Sequence, residues 1–125
     1  MSEKKILPSG PYSNLVRAGD WVILSGQLPQ DPETGDFPES IDQQMRQAMS
    51  NVKDLLEAEG LSLEQLVRVR ILTTDLSQFN LINEVYQEFF TKNHLPARTC
   101  YQVEQLPRGA KVEVEATACS TLNRR

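Results

Sequence analysis

The chain has 125 residues, of which 24% are charged and 39% hydrophobic, and its net charge is -4. This balance excludes a disordered or fibrous chain and allows one domain, residues 1–125, that buries roughly two-thirds of its extended surface. Thirteen basic residues against seventeen acidic ones, with no basic block, argue against diffuse nucleic-acid binding.

Pro8-Ser9-Gly10-Pro11 breaks the polar start and introduces an extended segment at 12–18. After Gly19-Asp20, a second segment follows at 21–27, so the pair reads as a β-hairpin. Its longest apolar run, Trp21-Val22-Ile23-Leu24, is too short to span a bilayer. Pro29 ends the strand, and 31–35 is a turn-rich connection. Ser40 is a helix N-cap with Gln43 placed for a capping box, and Gly60 is the stop. Between them Ile41, Met45, Ala48, Met49, Val52, Leu55 and Leu56 recur at helical spacing.

Ser62 starts a short turn containing Leu63 and Leu66. Residues 67–73 then read as a strand, with Val67, Val69 and Ile71 on one face and Arg68 and Arg70 on the other. Asp75 caps a second helix, with Gln78 at the matching third position. Leu76, Phe79, Ile82, Val85, Tyr86 and Phe89 form its apolar side, and 92–96 break it. Leu95-Pro96-Ala97-Arg98-Thr99-Cys100 leads through Leu106-Pro107-Arg108-Gly109 into 111–118, which reads as a closing β-hairpin.

The order ββ-α-β-α-ββ predicts a two-layer α+β domain: a mixed six-stranded sheet with two helices on one face. Val112, Val114, Ala116 and Ala118 suit the helix-covered side, while Glu113, Glu115, Thr117 and Cys119 point the other way. That second face is either left to water or joined to further copies of the chain. Periodicity leaves both outcomes open.

Arg98 could grip a carboxylate through two parallel charge-assisted bonds, or serve as an ordinary surface arginine. Glu113 could accept a proton or orient a water, and Glu115 is its equivalent by strand parity; alternatively both keep a strand edge soluble. Cys100 lacks an evident activating group, since His94 lies six residues away across a proline, and a packing role fits it better. Tyr12 follows Gly10-Pro11, a rigid turn, and in Ser25-Gly26-Gln27 the glycine permits close approach to a ligand. Cys100 and Cys119 match neither a disulfide framework nor a zinc pattern, and the chain has a single histidine. Met1-Ser2-Glu3-Lys4-Lys5 is followed by no apolar h-region. The expectation is a cytoplasmic, reduced protein without a metal.

Gly10-Pro11-Tyr12, Ser25-Gly26-Gln27, Asn51-Val52-Lys53, Asn83-x-x-Tyr86, Pro96-Ala97-Arg98-Thr99-Cys100, Leu106-Pro107 and 111–116 together resemble the Rid (YjgF) family of reactive enamine/imine deaminases. An older name for it is the endoribonuclease L-PSP family. The resemblance covers essentially the whole chain. It implies a chorismate mutase-like fold, a homotrimer whose sheets surround a central barrel, and sites in the clefts between subunits. Arg98 corresponds to the arginine that binds the substrate carboxylate, and Glu113 to the water-orienting glutamate. Tyr12, Ser25, Gly26, Asn83 and Cys100 fall on substrate-binding positions, with Cys100 contributing through its backbone. The implied substrate is a small 2-imino acid, with no cofactor. One departure is a connection at 91–95 about two residues shorter than in well-known deaminases, without an aromatic residue before Pro96, which bears on the pocket's rim. Competing readings are a non-catalytic ligand-binding or stress-related protein, and an endoribonuclease. The acidic balance and lack of a histidine pair argue against the latter.

Overall fold

The computed structural model describes Pro8 and residues 10–122. Strands β1 (Leu15–Ala18) and β2 (Trp21–Gln27) precede helix α1 (Ile41–Ala58). Strand β3 (Leu66–Thr73), helix α2 (Phe79–Gln87), and strands β4 (Ala97–Gln102) and β5 (Val112–Cys119) follow. Single 3-10 turns precede β3, α2 and β5. Among the described residues no helix is long and apolar enough to cross a membrane.

The apolar stripe of α1 packs on the sheet as its spacing requires: Met45, Ala48, Met49, Val52 and Leu56 are fully buried. Gly60 ends the helix with a φ of 77°, where its N–H donates to Glu57 O (3.0 Å) and that of Leu61 to Leu56 O (2.9 Å). This Schellman closure favours glycine because a side chain is strained at positive φ. Ser40 is the N-cap, but the capping box expected with Gln43 is not formed; the Ser40 side chain pairs with Asp42 instead. The reciprocal box lies later, at Ser62 and Gln65, where Gln65 Oε1 accepts from the Ser62 N–H at 3.0 Å.

The sheet is mixed, both helices are present as expected, and its strand order is β1-β2-β5-β3-β4. It has five strands among the described residues, not the expected six. The closing hairpin is also corrected. β4 pairs with β3 in parallel, while β5 lies between β2 and β3, antiparallel to both. The reason is physical. A strand that follows β3 through a covering helix returns parallel to it. The central slot then goes to β5, whose row of Val112, Val114, Ala116 and Ala118 is at most 3% exposed. The mostly polar β4 is left at an edge, where its unpaired side meets solvent.

Two further adjustments concern the core. A bulge between Leu66 and Arg68 puts Leu66, fully buried, where Val67 was expected, and Val67 is only partly covered. Leu76 and Phe79, expected on the apolar side of α2, are 39% and 37% exposed.

Buried polar groups fix the path from β2 to α1. Asn51 Nδ2 donates to Leu28 O (3.0 Å) and Gln30 O (2.9 Å), and its Oδ1 accepts from Gln47. Asn51→Leu would strand both carbonyls. We expect a loss of about 2–4 kcal/mol in denaturant-induced unfolding, from one buried and one partly buried acceptor without donors. A loss within ~0.5 kcal/mol would mean that the connection is held otherwise.

Candidate functional site

Register decides which side chains share a face. Along β3, Val69 and Ile71 are fully buried under the helices, and they pair with Ala116 and Val114 of β5 on one side and with Arg98 and Cys100 of β4 on the other. Arg98 and Cys100 therefore lie on the helix side. Glu113 pairs with Leu72, and Glu115 with Arg70, on the opposite, open face. The expected pair of Arg98 and Glu113 is thus divided between the two faces of one sheet.

On the helix side, the Arg98 guanidinium sits 4.9 Å from the ring centre of Tyr86 and 5.6 Å from that of Phe79, both on α2. No carboxylate pairs with it among the described residues. Asn83 lies one turn before Tyr86 on the same helix stripe. Its Oδ1 and the Tyr86 hydroxyl are buried without a hydrogen-bond partner. Burial pushes the Tyr86 hydroxyl up to about 12, against the lowering influence of Arg98. Burial likewise pushes the Cys100 thiol up, with Arg98 opposing. A thiol held protonated is a poor nucleophile. Cys100→Ala is accordingly expected to keep turnover within about tenfold of the parent, read by product release; complete loss would assign the sulfur a direct part.

On the open face, Glu113 lies across Gly26. A Cβ built on Gly26 would stand 2.7 Å from both Cδ and Oε2 of Glu113. Gly26 falls in the bulge where β2 spends an extra residue between Leu24 and Gln27 opposite β5. Ser25 donates from Oγ to Ser13 O (2.6 Å) and from its N–H to Asn14 O (2.9 Å), which holds the segment following Tyr12 at this end of β2. Tyr12 is exposed. Glu115 is engaged by Arg70 at 3.3 Å, whereas Glu113 forms no ion pair among the described residues. The Glu113 carboxyl is pushed above the usual range, first by burial and then by Glu115. Gly26→Ala is expected to leave folding intact and turn the Glu113 side chain away, lowering kcat/KM about tenfold or more. Unchanged kcat/KM would detach Glu113 from the chemistry.

The structure therefore gathers Arg98, Cys100 and Asn83 on one face, and Gly26, Ser25 and Glu113 on the other, with Tyr12 at the Ser25 end. His94 joins neither group. Its Nδ1 is 3.7 Å from Glu64 Oε2, beside a cavity of about 240 Å³ also lined by Leu63, Glu88, Phe89, Phe90 and Thr91. Phe79 and Tyr86 read in the sequence as helix packing. Their spacing of seven, with Asn83 between them, marks one stripe but does not say that an arginine covers it.

The family model described as Endoribonuclease L-PSP matches residues 2–120. The chain is 42% identical over 111 residues to the 2-iminobutanoate/2-iminopropanoate deaminase of Salmonella typhimurium, covering 87% of each chain. Among solved structures it resembles E. coli TdcF with bound serine (TM-score 0.88, 38% identity, covering 95% of this chain and 94% of that one). It also resembles RidA from Psychrobacter (TM-score 0.89, 38% identity, covering 95% and 96%). With the family model and full-length likenesses agreeing, the chain belongs to the RidA/YjgF family, the one described as Endoribonuclease L-PSP.

Proposed function

We propose that the protein is a deaminase that hydrolyses reactive 2-imino acids, such as 2-iminobutanoate and 2-iminopropanoate, to 2-keto acids and ammonia. The observation that carries this reading is the division of the site. Among the described residues, an arginine without an acid partner lies on one face, and a half-buried carboxylate without a base partner on the other. Each supplies what the other lacks, and they meet when the helix-side edge of one copy abuts the open face of another. Val16, Trp21 and Ile23, each about half exposed on the open face, favour such a cover. We take the assembly to be a homotrimer with its sheets around a central barrel.

In this site Arg98 pins the substrate carboxylate with parallel hydrogen bonds. Tyr12, Ser25, Gly26, Asn83 and Cys100 shape the pocket around the imine. Glu113 of the neighbouring copy holds a water and accepts a proton from it as its oxygen bonds to the imine carbon. The C=N electron pair moves to nitrogen, which takes that proton back from Glu113 to give a neutral carbinolamine. Glu113 then takes the proton of the new hydroxyl and passes it to the amine as the C–N bond breaks, so the nitrogen leaves as ammonia and the oxygen electron pair closes the keto group. No step calls for a cofactor or metal. The likeness to the Salmonella deaminase supports the substrate class.

The test is release of ammonia and 2-keto acid from 2-iminobutanoate or 2-aminoacrylate generated in situ by a dehydratase. Acceleration over the buffer rate is the expected result. No acceleration, with a small carboxylate still bound, would favour a non-catalytic binding protein.

A further inference from the structure

Phe79 stands out on α2. It occupies an apolar position of the helix stripe yet is 37% exposed, and its ring serves Arg98 instead of the core. Tyr86, seven residues on and 6% exposed, presents a second ring to the same guanidinium. Arginines at binding sites are commonly held by an acid, which fixes the group but occupies its N–H donors. Here two aromatic faces take that place. A ring attracts the cation through its quadrupole and leaves the guanidinium edge, with its donors, unoccupied.

We infer that Phe79 and Tyr86 form an aromatic cradle that positions Arg98 for a carboxylate ligand without neutralising it. The cradle deepens the deaminase reading, because it acts on the residue assigned to the substrate carboxylate. Phe79 and Tyr86 are positioning residues, since they act through Arg98. Phe79, Asn83 and Tyr86 lie at i, i+4 and i+7, so a single helix face carries the cradle and the amide beside it. Tyr86 is itself braced by Phe90, whose ring centre is 4.8 Å away.

The test uses a stable ligand and does not depend on turnover. Binding of 2-oxobutanoate and of its methyl ester, which lacks the charge, is measured by calorimetry for the parent protein and for Phe79→Leu, Tyr86→Leu and Tyr86→Phe. Phe79→Leu, at a partly exposed position, guards against loss of folding in Tyr86→Leu. The parent is expected to prefer the acid to the ester. Phe79→Leu and Tyr86→Leu should each shrink that preference about three- to tenfold, the range of a partly desolvated cation–π contact. Tyr86→Phe, which restores the ring, should rescue it. Leucine variants that keep the parent's preference, or that weaken acid and ester equally, overturn the cradle. So does a Tyr86→Phe variant as impaired as Tyr86→Leu, which would give the role to the hydroxyl. A parent that does not distinguish acid from ester contradicts the carboxylate role of Arg98 itself, a result distinct from variants that match a discriminating parent.

Discussion

Arg98→Ala is expected to lower kcat/KM on 2-iminobutanoate by about two to three orders of magnitude, the worth of a desolvated arginine–carboxylate contact. Folding should be little affected, because the guanidinium has no acid partner among the described residues whose loss would leave a buried charge behind. Arg98→Lys should not rescue. An ammonium cannot offer two parallel donors and is more strongly hydrated, so it gains less from the rings of Tyr86 and Phe79. Steady-state kinetics with thermal denaturation as control would check this. Parent-like turnover by Arg98→Ala would remove the arginine from the site.

Glu113→Gln is expected to lower kcat about a hundredfold or more, since the amide cannot take the proton of the attacking water. Its pH profile sharpens the test. Burial and Glu115 raise the proton affinity of Glu113, so the base form is lost as pH falls through a value above the ordinary carboxylate range. The acid limb of kcat/KM should therefore lie above that range. It should move down in Glu115→Gln, which removes one cause of the shift and frees Arg70, and vanish in Glu113→Gln. The stability sign agrees: a raised carboxyl pKa means that the fold favours the neutral form, so the charge costs stability above that pKa and the cost fades as pH falls through it. Glu113→Gln should then be no less stable than the parent at neutral pH. A strongly destabilised variant would make Glu113 structural first.

The elements of the fold were legible where a local pattern carries a physical consequence. The stripe of α1, the Gly60 stop and the alternation of β5 each follow from a period or a backbone requirement, and the structure agrees with them. The order of strands was not legible in the same way. Arg98 and Glu113 are fifteen residues apart across a turn-rich segment, which looks like a hairpin until β3 is found between their strands. A usable signal was present. The apolar inward row of β5 fits a strand with neighbours on both sides, whereas Ala97–Gln102 is too polar for the sheet interior. Missing that order also hid the face on which Arg98 lies. Phe79 was misread for a related reason: helical spacing finds the stripe but cannot tell a core contact from a guanidinium, whereas Tyr86 packs in the core as its spacing says and meets Arg98 as well.

In the proposed site Arg98 comes from one copy and Glu113 from another. Mixing the two inactive variants tests it directly. Arg98→Ala and Glu113→Gln chains are refolded or co-expressed together, and keto-acid release from 2-iminobutanoate is compared with that of each variant alone and of the parent. In a randomly mixed ring about a quarter of the interfaces join an intact arginine edge to an intact glutamate face, so activity should return to about a quarter of the parent's. A mixture as inactive as its components, beside an active parent, would contradict the divided site.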